Sequence, residues 1–132
     1  MAPSAQEASA AAGKGESTIG WKLDREQRAQ LLERFPPRYA QAVADHITLE
    51  KSDAPQPPDV TAKIVGHVDD GKGVEAMVVT LDGSSDRPDG STFHITCSLG
   101  PGRRARESND VIRDHSWSEI DSIPVTVTPA RF

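Results

Sequence analysis

Short β-rich runs, some alternating apolar and polar residues with a period of two, recur along this chain between polar, Gly- and Pro-bearing loops. Thr18–Leu23 reads as a strand. Asp24 follows as an N-cap, with Gln27 three residues on, which is capping-box spacing. The helix this predicts, Arg25–Phe35, carries Leu31, Leu32 and Phe35 on one face and stops at Pro36-Pro37, which offer no N–H to continue it. Arg38–Ala44 is ambiguous and has room for another helical turn. His46–Glu50 is a strand, and Lys51–Asp59, rich in Pro and Asp, is a loop. Val60–Val68 and Val74–Leu81 flank Asp69-Asp70-Gly71-Lys72-Gly73, a hairpin whose glycines are free to adopt positive φ. The polar segment Asp82–Ser91 leads into a strand at Thr92–Leu99. After Pro101-Gly102 come an Arg-rich loop, a short helix at Ser108–Asp114 capped by Ser108 or Asn109, and a closing strand at Ile123–Thr128. Strands joined by hairpins, with two or three helices, predict an α+β fold that is largely antiparallel.

Composition narrows the function classes. The chain has 132 residues, enough for one domain with its own core. Residues 1–17 are small and of low complexity, so the expectation is a disordered tail at 1–17 and one domain over 18–132. With 15 basic against 20 acidic residues the net charge is −5, which argues against indiscriminate binding to a nucleic-acid backbone. A small phosphate ligand held in a local pocket is compatible with that charge. No stretch approaches the roughly 18 apolar residues of a membrane span, and no signal-peptide pattern opens the chain. A single cysteine, Cys97, offers no disulfide partner. The expectation is a cytoplasmic monomer with no membrane partner.

One tripeptide occurs twice, as His46-Ile47-Thr48 and His94-Ile95-Thr96, each in an expected strand. Strand alternation sets His46 and Thr48 on one face, with Ile47 and Leu49 on the other. Applied to the second copy, it groups His94, Thr96 and Ser98 against Ile95, Cys97 and Leu99. Each strand thus offers an imidazole and a hydroxyl on one side and an apolar back on the other. Two imidazoles suit metal-free phosphodiester chemistry: a neutral ring takes a proton from the attacking water, and a protonated ring gives one to the leaving alkoxide. His46 and His94 are the candidate acid–base pair, in either order. Thr48 and Thr96 are the candidate phosphate-binding hydroxyls, placed to donate to non-bridging oxygens.

Further candidates lie nearby. Arg103 and Arg104 follow the second motif, and their guanidinium forks suit phosphate oxygens. Trp21 is the aromatic best placed to stack on a base. Cys97 faces away from His94 by alternation, so a Cys–His nucleophile is not expected. No H-E-x-x-H motif supports a zinc hydrolase, and Gly71-Lys72-Gly73 lacks the P-loop frame.

The two His-Ile-Thr motifs, with Gly20-Trp21-Lys22-Leu23, Asp45-His46-Ile47-Thr48-Leu49 and Phe93-His94-Ile95-Thr96 running on to Ser108-Asn109-Asp110, resemble the 2H phosphoesterase superfamily. The wording is closest to the cyclic phosphodiesterase domain of fungal-type tRNA ligases and to Swiss Army Knife RNA repair-like proteins. The resemblance implies a bilobal fold with pseudo-two-fold symmetry and the motifs facing each other across a central cleft. It also implies metal-independent hydrolysis, or reversible ligation, of 2′,3′-cyclic phosphates or 2′-5′-linked nucleotides, with no cofactor and with a nucleotide or RNA end as partner. The alternative is a non-catalytic nucleotide or RNA-end binding module on the same scaffold.

Overall fold

The computed structural model of this chain describes residues 18–51 and 55–131. The tail expected at 1–17 and positions 52–54 of the loop expected at Lys51–Asp59 lie outside the described residues. In chain order the elements are β1 (Thr18–Leu23), α1 (Arg25–Arg34), β2 (Gln41–Ala42), β3 (His46–Lys51), β4 (Ala62–Asp69), β5 (Val74–Leu81), β6 (His94–Leu99), a 3-10 turn (Ala105–Glu107), α2 (Ser108–Asp114), β7 (Ser118–Val125) and β8 (Val127–Arg131). The fold is α+β, and the described strands form one antiparallel sheet in the order β7-β4-β5-β6-β3-β1-β8, with β2 also on β6. β7 and β8 are consecutive in the chain, with Thr126 alone between them, yet they form opposite edges of the sheet. The sheet therefore curls into a half-barrel.

Thr126 corrects the single closing strand expected at Ile123–Thr128. Its carbonyl accepts from the Asp24 N–H at 3.0 Å and its N–H donates to the Gln27 side chain, so the chain breaks there and changes edges. The capping box of α1 is consequently half made. Asp24 accepts from the Gln27 N–H at 3.0 Å, while the Gln27 side chain turns to Thr126. At α2, neither Ser108 nor Asn109 acts as the cap, because the 3-10 turn runs directly into the helix.

No helical turn forms in Arg38–Ala44. This segment extends along β6 instead, pairing Gln41 with Leu99 and Ala42 with Ser98. β3 then meets β6 through one residue pair, Ile47 and Ile95. Between the two contacts Ala44 takes a positive φ of 40° while its N–H donates to the Thr96 carbonyl at 2.8 Å. That kink, sparsely populated for a residue with a Cβ, turns Asp45 into the interior.

The sheet buries both faces. On the α1 side Trp21, Leu31, Ile47, Ile64, Met77 and Ile95 belong to one core. On the α2 side Val74, Ala76, Val78 and Leu99 pack with Val111 and Ile112. A bulge decides which residues of β6 face which core. Glu75 pairs with Ser98 and the next residue, Ala76, pairs with Thr96, so Cys97 is the extra residue. The alternation expected through Ser98 and Leu99 therefore fails. Ser98 turns to Glu75, and Leu99 joins the α2-side core while Cys97 stays in the α1-side core.

Gly20 shows how closely β1 approaches β3. A Cβ there would lie 2.1 Å from the Ile47 carbonyl oxygen. Gly20→Ala is expected to cost about 1–3 kcal/mol or more, because backbone, not a flexible side chain, must give way. A denaturant midpoint equal to that of the wild type would contradict this packing.

Candidate active site

The Ile47–Ile95 pair is the hinge of the site. Both isoleucines are fully buried in the α1-side core. Their neighbours His46, Thr48, His94 and Thr96 project from the opposite face, because successive strand residues alternate. Antiparallel pairing brings Thr48 toward His94 and His46 toward Thr96, so the two copies of one tripeptide meet about a local two-fold axis. The structure thus gathers the four residues singled out by the repeat.

The two histidines occupy different electrostatic settings. His94 is 8% exposed, and its Nδ1 lies 2.9 Å from the Thr92 carbonyl. A carbonyl can only accept, so the proton sits on Nδ1 and Nε2 carries the lone pair. Burial pushes the His94 ring down to about 4. The Thr92 carbonyl opposes this shift, and the positive charges of Arg87 and His46 add to it. His46 instead has a carboxylate on its Nδ1, Asp45 Oδ2 at 3.2 Å. Asp45 is fully buried and is also gripped by Arg25, while Arg28 donates to the Val43 carbonyl at 3.0 Å. Two arginines of α1 therefore fix the segment that presents His46.

The hydroxyls differ too. Thr48 is half-buried, with no side-chain hydrogen bond among the described residues. Thr96 Oγ1 lies 2.8 Å from the buried Ser108 Oγ and 3.3 Å from the Ala105 carbonyl. With one hydrogen to give, Thr96 must exchange a protein partner before it can donate to a ligand.

Arg87 and Asp45 are the site residues that sequence reasoning missed. Arg87 donates to Asp89 at 3.0 and 3.1 Å, to Asn109 Oδ1 at 3.1 Å and to the Thr48 carbonyl at 3.4 Å. It ties the 82–91 loop and α2 to the first motif while its charge acts on the second. The only trace in the sequence is one arginine among the acidic, Gly-rich residues of that loop. Asp45 was visible as the residue before the first motif, but nothing local signalled the Ala44 kink that turns it inward. Arg87→Gln is expected to raise the His94 midpoint above about 4, since it removes a cation and leaves Asp89 unneutralised. An NMR titration of the His94 ring reads this directly, and an unmoved midpoint would remove Arg87 from the electrostatics of the site.

Two expected ligand contacts, Trp21 and Arg103, take other positions. Trp21 is paired with Ile47, so it shares the face of that isoleucine and points away from the histidines. It is 3% exposed, donates through Nε1 to the Pro58 carbonyl at 2.9 Å and packs edge-on against Phe93. It is a core residue, not a stacking platform. Arg103 lies beyond the end of β6 remote from His94, bound to Asp70 at 3.1 Å, to Glu107 at 3.1 Å and to the Lys72 carbonyl. Its fork locks the β4–β5 hairpin to the 3-10 turn. Arg104 is exposed beside it, with its N–H on Glu107 at 2.6 Å.

Among the described residues no group of three or more His, Cys, Asp or Glu converges as metal ligands, and no helix is long and apolar enough to cross a membrane. In comparisons with protein-family models, curated proteins and solved structures, nothing matches this chain.

Proposed function

We propose that this protein is a metal-independent phosphodiesterase that opens 2′,3′-cyclic phosphates, as its resemblance to the 2H phosphoesterases implies, with the two motifs as the halves of one site. The observation that carries the reading is the pair of His-Ile-Thr strands meeting at Ile47 and Ile95 with their imidazoles on a common face. A two-lobed description has this support: among the described residues, the ladder between β7-β4-β5-β6 and β3-β1-β8 consists of that one residue pair.

The different settings of the rings divide the labour. His94 is the base, since burial keeps it neutral and Nδ1–H is held by Thr92, leaving Nε2 to accept a proton from water. His46 is the acid, and Asp45 on its Nδ1 balances the charge of the protonated ring. Water attacks phosphorus and loses a proton to His94, while the ribose oxygen departs with the proton of His46. Thr48 donates to a non-bridging oxygen as charge builds there, and Thr96 joins it on releasing Ala105 or Ser108.

The test is hydrolysis of a 2′,3′-cyclic mononucleotide in EDTA by the wild type beside the His46→Ala/His94→Ala double variant. Turnover that survives EDTA and collapses in the variant is expected. Tight binding of the nucleotide with no product would instead identify a binding module.

A further inference from the structure

The two flanks of the histidine pair are unequal, and we propose that this inequality sets the lie of the substrate: the nucleoside runs out over β1 and β8, where Lys22 binds a second phosphate at the 5′ position of the terminal nucleotide. On the β5 flank Val78 stands opposite His94 and Ala76 opposite Thr96. Both are fully buried, packed with Val111 and Ile112 of α2, so nothing can extend that way. On the other flank Lys22 pairs with His46 and, across β1, with Thr128. The register puts Lys22 on the His46 face, one strand over, about 4.8 Å away along the sheet. Lys22 is half-buried and Thr128 exposed, and Gly20, the residue opposite Thr48, raises no side chain. On this side no β1 side chain stands opposite Thr48, and Lys22 and Thr128 both reach solvent, unlike Val78 and Ala76.

Lys22 also differs from the other cations near the motifs. Arg25 is bound to Asp45, and Arg87 to Asp89 and Asn109. The Lys22 side chain has no hydrogen bond or ion pair among the described residues, and an ammonium of that kind binds phosphate as a point charge. The direction follows from the acid–base reading, on which this inference rests. His46 protonates the ribose oxygen, so the ribose lies on its side. The phosphate that a ribonucleotide carries beyond the ribose, on its 5′ oxygen, then comes over β1. The substrate class is thereby narrowed to an RNA end, or a nucleotide bearing a 5′ phosphate, in preference to a bare cyclic nucleoside phosphate.

Product-like ligands test this independently of turnover. Adenosine 3′-monophosphate and adenosine 3′,5′-bisphosphate are titrated against the wild type, Lys22→Gln and Lys22→Arg. The wild type is expected to favour the bisphosphate roughly 10- to 100-fold, the range of one charge-assisted contact. Lys22→Gln brings that ratio close to one, and Lys22→Arg restores most of it. A wild type without the preference, or a preference that Lys22→Gln leaves intact, overturns the proposal. So does equal weakening of both ligands in Lys22→Gln, which would move Lys22 to the reacting phosphate. Cyclic phosphate turnover in EDTA, read alongside, keeps the two ideas apart. Turnover with no bisphosphate preference removes the Lys22 subsite alone, and a Lys22-dependent preference without turnover keeps the subsite and removes the enzymatic reading.

Discussion

Alanine at His46 or at His94 is expected to lower the rate of 2′,3′-cyclic phosphate hydrolysis by about 10²–10⁴ each. The double variant should fall little further than either single one, because acid and base act in the same transition state. The pH dependence carries the finer content. A base must be neutral to work, and burial holds His94 neutral down to about 4. The acid limb of kcat/KM should therefore lie near pH 4, so that activity persists at pH 5, where a solvated histidine, with its pKa near 6.5, is mostly protonated. An acid limb near pH 6.5 would show that the essential base is another group, and single variants with wild-type rates would end the two-histidine reading.

Glu75→Ala is expected to cost about 3–5 kcal/mol, the penalty of breaking a buried charged network from one side. Glu75 is 1% exposed, and its carboxylate accepts from Ser98 Oγ at 2.6 Å and the Arg38 N–H at 3.2 Å, with His67 Nε2 at 2.8 Å. Burial pushes its carboxyl up, but the bonds from His67, Ser98 and Arg38 outweigh that and hold it below the ordinary value. A depressed carboxylate stabilises the fold above its unfolded pKa, and that stability goes as pH falls through the folded value. His94 adds an earlier loss of the same sign. The unfolded ring takes a proton near 6.5 while the folded ring resists to about 4, so stability declines across that interval. Denaturant midpoints measured from pH 7 downward should fall through the His94 window first, and the loss carried by Glu75 sets in only below its ordinary carboxyl value, at the acid end of that window and beyond. A His94→Gln variant should flatten the first segment. A wild-type profile level down to pH 4 would contradict the His94 assignment, and one with no further decline below that pH would contradict the Glu75 assignment.

What the sequence made legible is what local pattern controls. β1, α1, the β4–β5 hairpin and both motif strands follow from alternation, proline stops and the glycines of a turn, and their limits agree with expectation to within a few residues. The motif residues meet because identical strand segments pair antiparallel, so the repeat itself carried that information. The remainder depends on contacts distant in sequence. Arg38–Ala44 is extended because the edge of β6 is there to pair with it. Ser98 faces Glu75 because a bulge at Cys97 breaks the period of two. Trp21 is interior because β1 lies against β3 in a register that no local window contains. Arg103 had the right chemistry for phosphate, but Asp70 and Glu107 were nearer.

The passage of the chain through Thr126 bears on how the protein is made. Because β7 and β8 lie on either side of that residue and form opposite edges, the segment from Ser118 onward supplies both borders of the sheet. Until it leaves the ribosome, β4 and β1 each present an open row of backbone donors and acceptors, the kind of border on which strands of other chains add. Closure on the β1 side waits for β8, which lies more than a hundred residues further along the chain. A chain cut near Trp117 loses both guards at once, so it is expected to associate through β4 and β1, which light scattering of the truncated protein beside the full chain would read.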